Sequence, residues 1–197
     1  MWALVVLALF VAPKGETRVP LVVVLHGDRE HARDAAARWR TAVDAHGWAL
    51  LAPDVPEGDS WWKWDGDPQW LIDQVAAVKR PIDREHVYLV GWSGGATYIG
   101  MHAQAWRGTF AAVVLHGGGM APDDAACTTL PAYFLVGDRN PLHRLAKDLR
   151  AYFDGCHAEV TWDLVKGGDH AKEAAALTKK KANAILDWLS TKQLSGS

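Results

Sequence analysis

The sequence predicts an α/β protein built on a doubly wound, mostly parallel sheet. Three observations carry that expectation. Short apolar runs rich in Val and Leu alternate with longer amphipathic stretches along the 197 residues. The runs lack the polar–apolar alternation of a strand with one wet face, so each is expected to be covered on both sides. Strand–helix–strand order with such strands then favours right-handed crossovers into a parallel sheet.

In chain order, Met1 to Ala12 (MWALVVLALFVA) is read as a first buried strand entering the Pro13-Lys14-Gly15 turn. The competing reading is the apolar part of a leader peptide. No basic residues precede it and no clean A-x-A site follows, which favours the strand. Strands are expected at Pro20–Leu25, Trp48–Ala52, His86–Val90, Phe110–Leu115, Pro131–Val136 and Glu159–Val165. Helices are expected at Glu30–His46, Pro68–Lys79, Gly95–Trp106, Pro141–Phe153 and His170–Ser190. Asp67-Pro68 and Asn140-Pro141 each read as an N-cap followed by a first-turn proline. Pro53 to Asp67 is the one long irregular segment, and loops of that length are commonly functional. The whole chain, 1–197, reads as one domain with a flexible tail at 194–197.

Composition excludes several classes. Hydrophobic residues make up 49% of the chain, too many for a disordered one. A net charge of −2 without a long basic run argues against nucleic acid as a partner. Lys179, Lys180 and Lys181 sit on a helix whose other face is apolar, so they read as a solvated face. No apolar stretch reaches the roughly 18 residues that span a bilayer. Cys127 and Cys156 lie just ahead of two successive strands. If those strands are neighbours, a bridge closing a loop of about 30 residues would add roughly 3–4 kcal/mol. That bridge implies a secreted or periplasmic protein, whereas two free buried thiols would fit the cytoplasm. The 11 Trp are the compositional oddity.

The strongest local signal is Gly91-Trp92-Ser93-Gly94-Gly95, between the strand His86–Val90 and the helix Gly95–Trp106. A G-x-S-x-G turn at such a junction lifts the serine hydroxyl above the sheet on a strained backbone. The N–H groups of the helix start, Gly94 among them, lack intrahelical partners and suit an oxyanion. Ser93 is therefore the candidate nucleophile.

Together with the strand ending Leu25-His26-Gly27 and the segment Ile82-Asp83-Arg84-Glu85-His86-Val87-Tyr88, this motif resembles the α/β-hydrolase superfamily. Within it, the chain is most similar to small secreted esterases of the polyhydroxybutyrate-depolymerase and feruloyl-esterase type, from Ala8 to Leu189. The resemblance implies the α/β-hydrolase fold with a minimal lid or none. It also implies a second oxyanion donor in the loop after His26-Gly27, at the backbone N–H of Asp28.

A general base is expected after the last strand, where Gly167-Gly168-Asp169-His170 can carry an imidazole over the strand ends; His170 is the candidate. The resemblance implies an acid after Pro131–Val136, where this chain reads Gly137-Asp138-Arg139-Asn140-Pro141. Asn140 holds the expected position, and asparagine can orient an imidazole but cannot balance its charge. Asp138 is thus the preferred acid. An uncharged triad through Asn140 and a relocated acid at Asp123 or Asp124 are the alternatives.

The expected activity is hydrolysis of carboxylic esters through a Ser-His-Asp acyl-enzyme mechanism, without metal or organic cofactor and with the protein a monomer. A peptidase or thioesterase on the same scaffold is one alternative. A non-catalytic polymer-binding protein is the other, favoured only by Asn140. Most tryptophans fall in strands or helices and read as packing residues. Trp61, Trp62 and Trp64 share the long loop and, with Trp92, are the candidate substrate-binding aromatics for bulky or polymeric esters.

Overall fold

The computed structural model describes residues 8–123 and 126–194. Among the described residues, seven strands form one sheet: β1 (Ala8–Val11), β2 (Val19–Leu25), β3 (Ala49–Pro53), β4 (Ile82–Trp92), β5 (Ala112–His116), β6 (Ala132–Gly137) and β7 (Val160–Val165). Their order is β1-β3-β2-β4-β5-β6-β7, parallel throughout except for β1, which runs antiparallel to β3. The described helices are α1 (Ala32–His46), α2 (Gln69–Ala76), α3 (Gly94–Met101), α4 (His143–Gly155), α5 (His170–Ala176) and α6 (Lys179–Ser190).

The unalternated strands have the cause anticipated for them. In β2, Leu21, Val23 and Leu25 enter one apolar cluster, while Val22 and Val24 enter a second on the opposite face. Trp106, Phe110 and Phe134 help fill the first cluster; Trp39, Ile185 and Leu186 help fill the second. Each fully buried Val, Leu or Ile contributes about 1.5–3 kcal/mol, so a strand buried on both faces needs apolar residues at every position.

Four expectations are corrected. The apolar N-terminal run contributes only Ala8–Val11 to the sheet as described, and there it is a half-exposed edge strand paired with β3 rather than the buried strand expected, because one of its edges and half of its side chains face solvent; residues 1–7 lie outside the described part. Strand β4 begins at Ile82, ahead of its apolar run. The segment expected as one helix, His170–Ser190, is two. Leu177 leaves the helical region at φ −77°, ψ 62°, and the Thr178 side chain caps α6 by accepting from the Lys181 N–H. The Asn140 side chain accepts from the Leu142 N–H at 2.8 Å, but α4 itself starts at His143.

Cys127 and Cys156 form a disulfide, with Cα atoms 5.3 Å apart. It ties the segment before β6 to the end of α4. Among the described residues no helix is long and apolar enough to cross a membrane. The tail residues 195–197 also lie outside the described part.

Candidate active site

Parallel strands all deliver their C-terminal ends to one edge of the sheet, and there the candidate residues meet. Ser93 follows β4 directly and takes φ 51°, ψ −113°, a positive-φ conformation that L-residues rarely adopt. The turn can be this tight because Gly91 has no side chain. A Cβ there would lie 2.5 Å from the Ala96 nitrogen. The Ser93 N–H donates to the His116 carbonyl at the end of β5, which fixes the turn to the neighbouring strand.

His170 is the first residue of α5, presented by the glycine loop after β7 as expected. Asp169 caps the helix by accepting from the Lys172 N–H at 2.9 Å. The Ser93 hydroxyl donates to His170 Nε2 across 2.9 Å. The imidazole therefore carries its proton on Nδ1, and that N–H donates to Glu173 Oε2, also at 2.9 Å. Glu173 lies three residues on along α5, and residues at that spacing share a helix face.

Glu173 is 1% exposed, and a buried carboxylate is sustained only where its oxygens are fully met. The Gly137 N–H donates to Oε1 at 2.5 Å, and Asn140 Nδ2 donates to Oε2 at 2.6 Å. The Glu173 carbonyl accepts from His116 Nε2 at 2.7 Å. Burial pushes the His116 imidazole down to about 4, so this histidine is neutral at pH 7.

Asp138 does not reach the imidazole. It is exposed, and its carboxylate accepts from the Gly167 N–H at 2.7 Å. The reason lies in the turn after Gly137: position 138 faces solvent while position 140 turns inward. Asn140 does touch His170, with Nδ2 3.2 Å from Nδ1, but it presents a donor to a donor. Asp123 is exposed, and Asp124 lies outside the described residues. The carboxylate beside the His170 imidazole is Glu173, which sequence reasoning missed. One signal could have found it: His170 and Glu173 are spaced i, i+3 at a helix start, on the face that carries the buried side of α5.

Next to Ser93, Gly94 opens α3 and Asp28 stands beside that glycine. A Cβ on Gly94 would meet Asp28 Oδ1 at 1.9 Å and the Asp28 nitrogen at 3.4 Å. The Asp28 backbone nitrogen thus lies beside Gly94, the residue that follows Ser93. The Asp28 loop is held from the long loop: the Ser60 hydroxyl donates to Asp28 Oδ1 at 2.6 Å and the Arg29 N–H to the Asp59 carbonyl at 2.6 Å. His26 is structural. Its Nδ1–H donates to the Gly27 carbonyl and its Nε2 accepts from the Val55 N–H. Desolvation holds its imidazole below the usual histidine range.

The four aromatics separate. Trp61 is fully buried in the core against Tyr98 and Trp70, and half-buried Trp64 packs on the same two rings. Trp92 is 7% exposed, with its ring stacked on His170 at 4.5 Å and tilted against His116 at 4.4 Å. Neither Trp61 nor Trp92 offers a free face to a substrate. Trp62 is 37% exposed.

The family model of the PHB depolymerase esterases matches residues 5–152. The chain belongs to the esterase PHB depolymerase family. No curated protein sequence matches it. Among solved structures, a thermostable esterase superposes with TM-score 0.72 at 19% identity, covering 94% of this chain and 59% of that one. This family member therefore spans less than two thirds of that esterase. A phospholipase/carboxylesterase from Dyadobacter fermentans gives TM-score 0.69 at 18% identity, covering 94% of this chain and 99% of that one. Est1E from Butyrivibrio proteoclasticus, with ferulic acid bound, gives 0.68 at 15% identity, covering 95% and 96%. The architecture of this family member is the α/β-hydrolase fold.

Proposed function

We propose that the protein is a serine esterase whose relay is Ser93–His170–Glu173. The observation that carries the reading is the unbroken chain of two 2.9 Å hydrogen bonds from the strained serine to a buried carboxylate. Ser93 Oγ attacks the ester carbonyl and its proton passes to His170 Nε2. The imidazolium so formed is balanced by Glu173, and the oxyanion takes the N–H groups of Gly94 and Asp28. The imidazolium then protonates the departing alkoxide, leaving an acyl-Ser93 ester. Water attacks that ester by the same steps in reverse, releasing the acid and restoring the serine.

Bulky, aromatic or polymeric esters are the proposed substrates. Support comes from the open face of Trp62 and the short β5–β6 connection, residues 117–131, which leaves little chain for a lid. The family match points the same way. The disulfide supports an oxidising location, secreted or periplasmic. The polymer-binding alternative rested on Asn140 standing where an acid was expected, and the Glu173 carboxylate at His170 supports the catalytic reading instead. A fluorophosphonate probe tests the reading: wild type is labelled and hydrolyses p-nitrophenyl acetate, and Ser93→Ala does neither. Full turnover by Ser93→Ala would contradict it.

A further inference from the structure

Residue 140 touches the same imidazole nitrogen as the carboxylate at 173, and the two side chains are bonded to each other. Asn140 Nδ2 lies 3.2 Å from His170 Nδ1 and 2.6 Å from Glu173 Oε2. The orientation of its amide is fixed, because Asn140 Oδ1 accepts from the Leu142 N–H at 2.8 Å. Glu173 is fixed in the same way by the Gly137 N–H on Oε1. Each side chain thus has one oxygen held by a backbone donor and one atom directed at the shared point beside Nδ1. At that point one side chain supplies an oxygen and the other a nitrogen.

We propose that positions 140 and 173 are interchangeable seats for the acid, and that Asn140 positions Glu173 by being its amide complement. The proposal rests on the relay described above. It follows from isosterism: Asn and Asp have the same shape, as do Gln and Glu. When Asn140→Asp and Glu173→Gln are combined, the two backbone bonds are kept, the bond between 140 and 173 reverses its direction, and the bond from His170 Nδ1–H passes from 173 to 140. The Leu142 N–H still finds an oxygen at position 140, and the Gly137 N–H still finds one at position 173. The new amide nitrogen at 173 donates to the second carboxylate oxygen at 140, and that oxygen stands within reach of the His170 Nδ1–H. The charge moves by one side chain while the imidazole stays in place.

The single substitutions break the complement. In Glu173→Gln two amide nitrogens face each other and the imidazolium has no counter-charge. In Asn140→Asp two carboxylates stand at a separation where both cannot ionise. Neither defect exists in the double variant. A side chain that merely filled space would give additive losses, whereas paired seats give recovery.

The test is a double-mutant cycle on p-nitrophenyl acetate, with thermal melts of all four proteins. Glu173→Gln is expected to lose about 10³-fold or more in kcat, as triads deprived of their acid do. Asn140→Asp is expected to lose activity as well. The double variant is expected to exceed Glu173→Gln by at least about tenfold in kcat, because the counter-charge is restored. It is also expected to melt within a few degrees of wild type. A folded double variant no faster than Glu173→Gln overturns the exchange and leaves the relay standing. A double variant that does not fold also overturns it, since the mirrored bonds require a native fold. Wild-type turnover by Glu173→Gln alone overturns the relay and the exchange together.

Discussion

The indole of Trp92 lies face to face with the imidazole of His170, their centroids 4.5 Å apart and their planes inclined by 7°. The residue before Ser93 thus packs on the imidazole proposed as the base. The stack fixes the ring so that Nε2 meets Ser93 and Nδ1 meets Glu173. In the proposed mechanism its π-face also attracts the imidazolium formed during attack, an interaction worth about 0.5–2 kcal/mol. Trp92→Leu is expected to lower kcat by roughly 3- to 30-fold on small and bulky esters alike, with KM little changed. A rise in KM confined to bulky esters would instead make Trp92 a substrate contact.

The long-loop tryptophans should part company. Trp61 is fully buried, so Trp61→Ala is expected to cost about 3–5 kcal/mol of stability, read as a lower urea midpoint. Trp62 is exposed, so Trp62→Ala should leave that midpoint nearly unchanged. On a feruloyl or oligomeric ester it should raise KM several-fold while sparing p-nitrophenyl acetate. Equal effects on both esters would remove Trp62 from substrate contact.

His116 makes stability depend on pH. Its imidazole titrates near 6.5 unfolded and near 4 folded, where burial disfavours the cation. Between those values the unfolded chain binds the extra proton. The stabilisation is therefore complete above pH 6.5 and is lost as pH falls toward 4. His26, lowered by the same cause, acts with the same sign. From about pH 7 to about pH 4.5 the His116 contribution amounts to roughly 2 kcal/mol, measurable by urea titration. His116→Gln should flatten that slope, and an unchanged slope would assign it to other groups.

The sheet was legible because burial on both faces leaves a local mark, namely apolar runs without alternation. Ser93 and His170 were legible because each sits at a strand end next to glycines that the turns need. Which strand β1 joins was not, since pairing with β3 or β2 leaves the same run of apolar residues. Glu173 escaped for a related reason. Its role is set by what closes over it, Gly137 and Asn140 from the β6 turn, and a Glu on a helix otherwise reads as solvated. Reading 170–190 as one helix hid it further, because the turn carrying both His170 and Glu173 then looked like the start of a long surface helix. Thr178, an N-cap type at the break, was the local clue.

The central claim is that the carboxylate serving His170 comes from α5 and not from the turn after β6. Comparing kcat/KM of Glu173→Gln and Asp138→Asn on p-nitrophenyl acetate tests it most directly. Asp138 is exposed and bonded to the Gly167 N–H, so its substitution is expected to keep activity within about threefold of wild type. Glu173→Gln is expected to lose about 10³-fold or more. A deeper loss from Asp138→Asn than from Glu173→Gln would contradict the account.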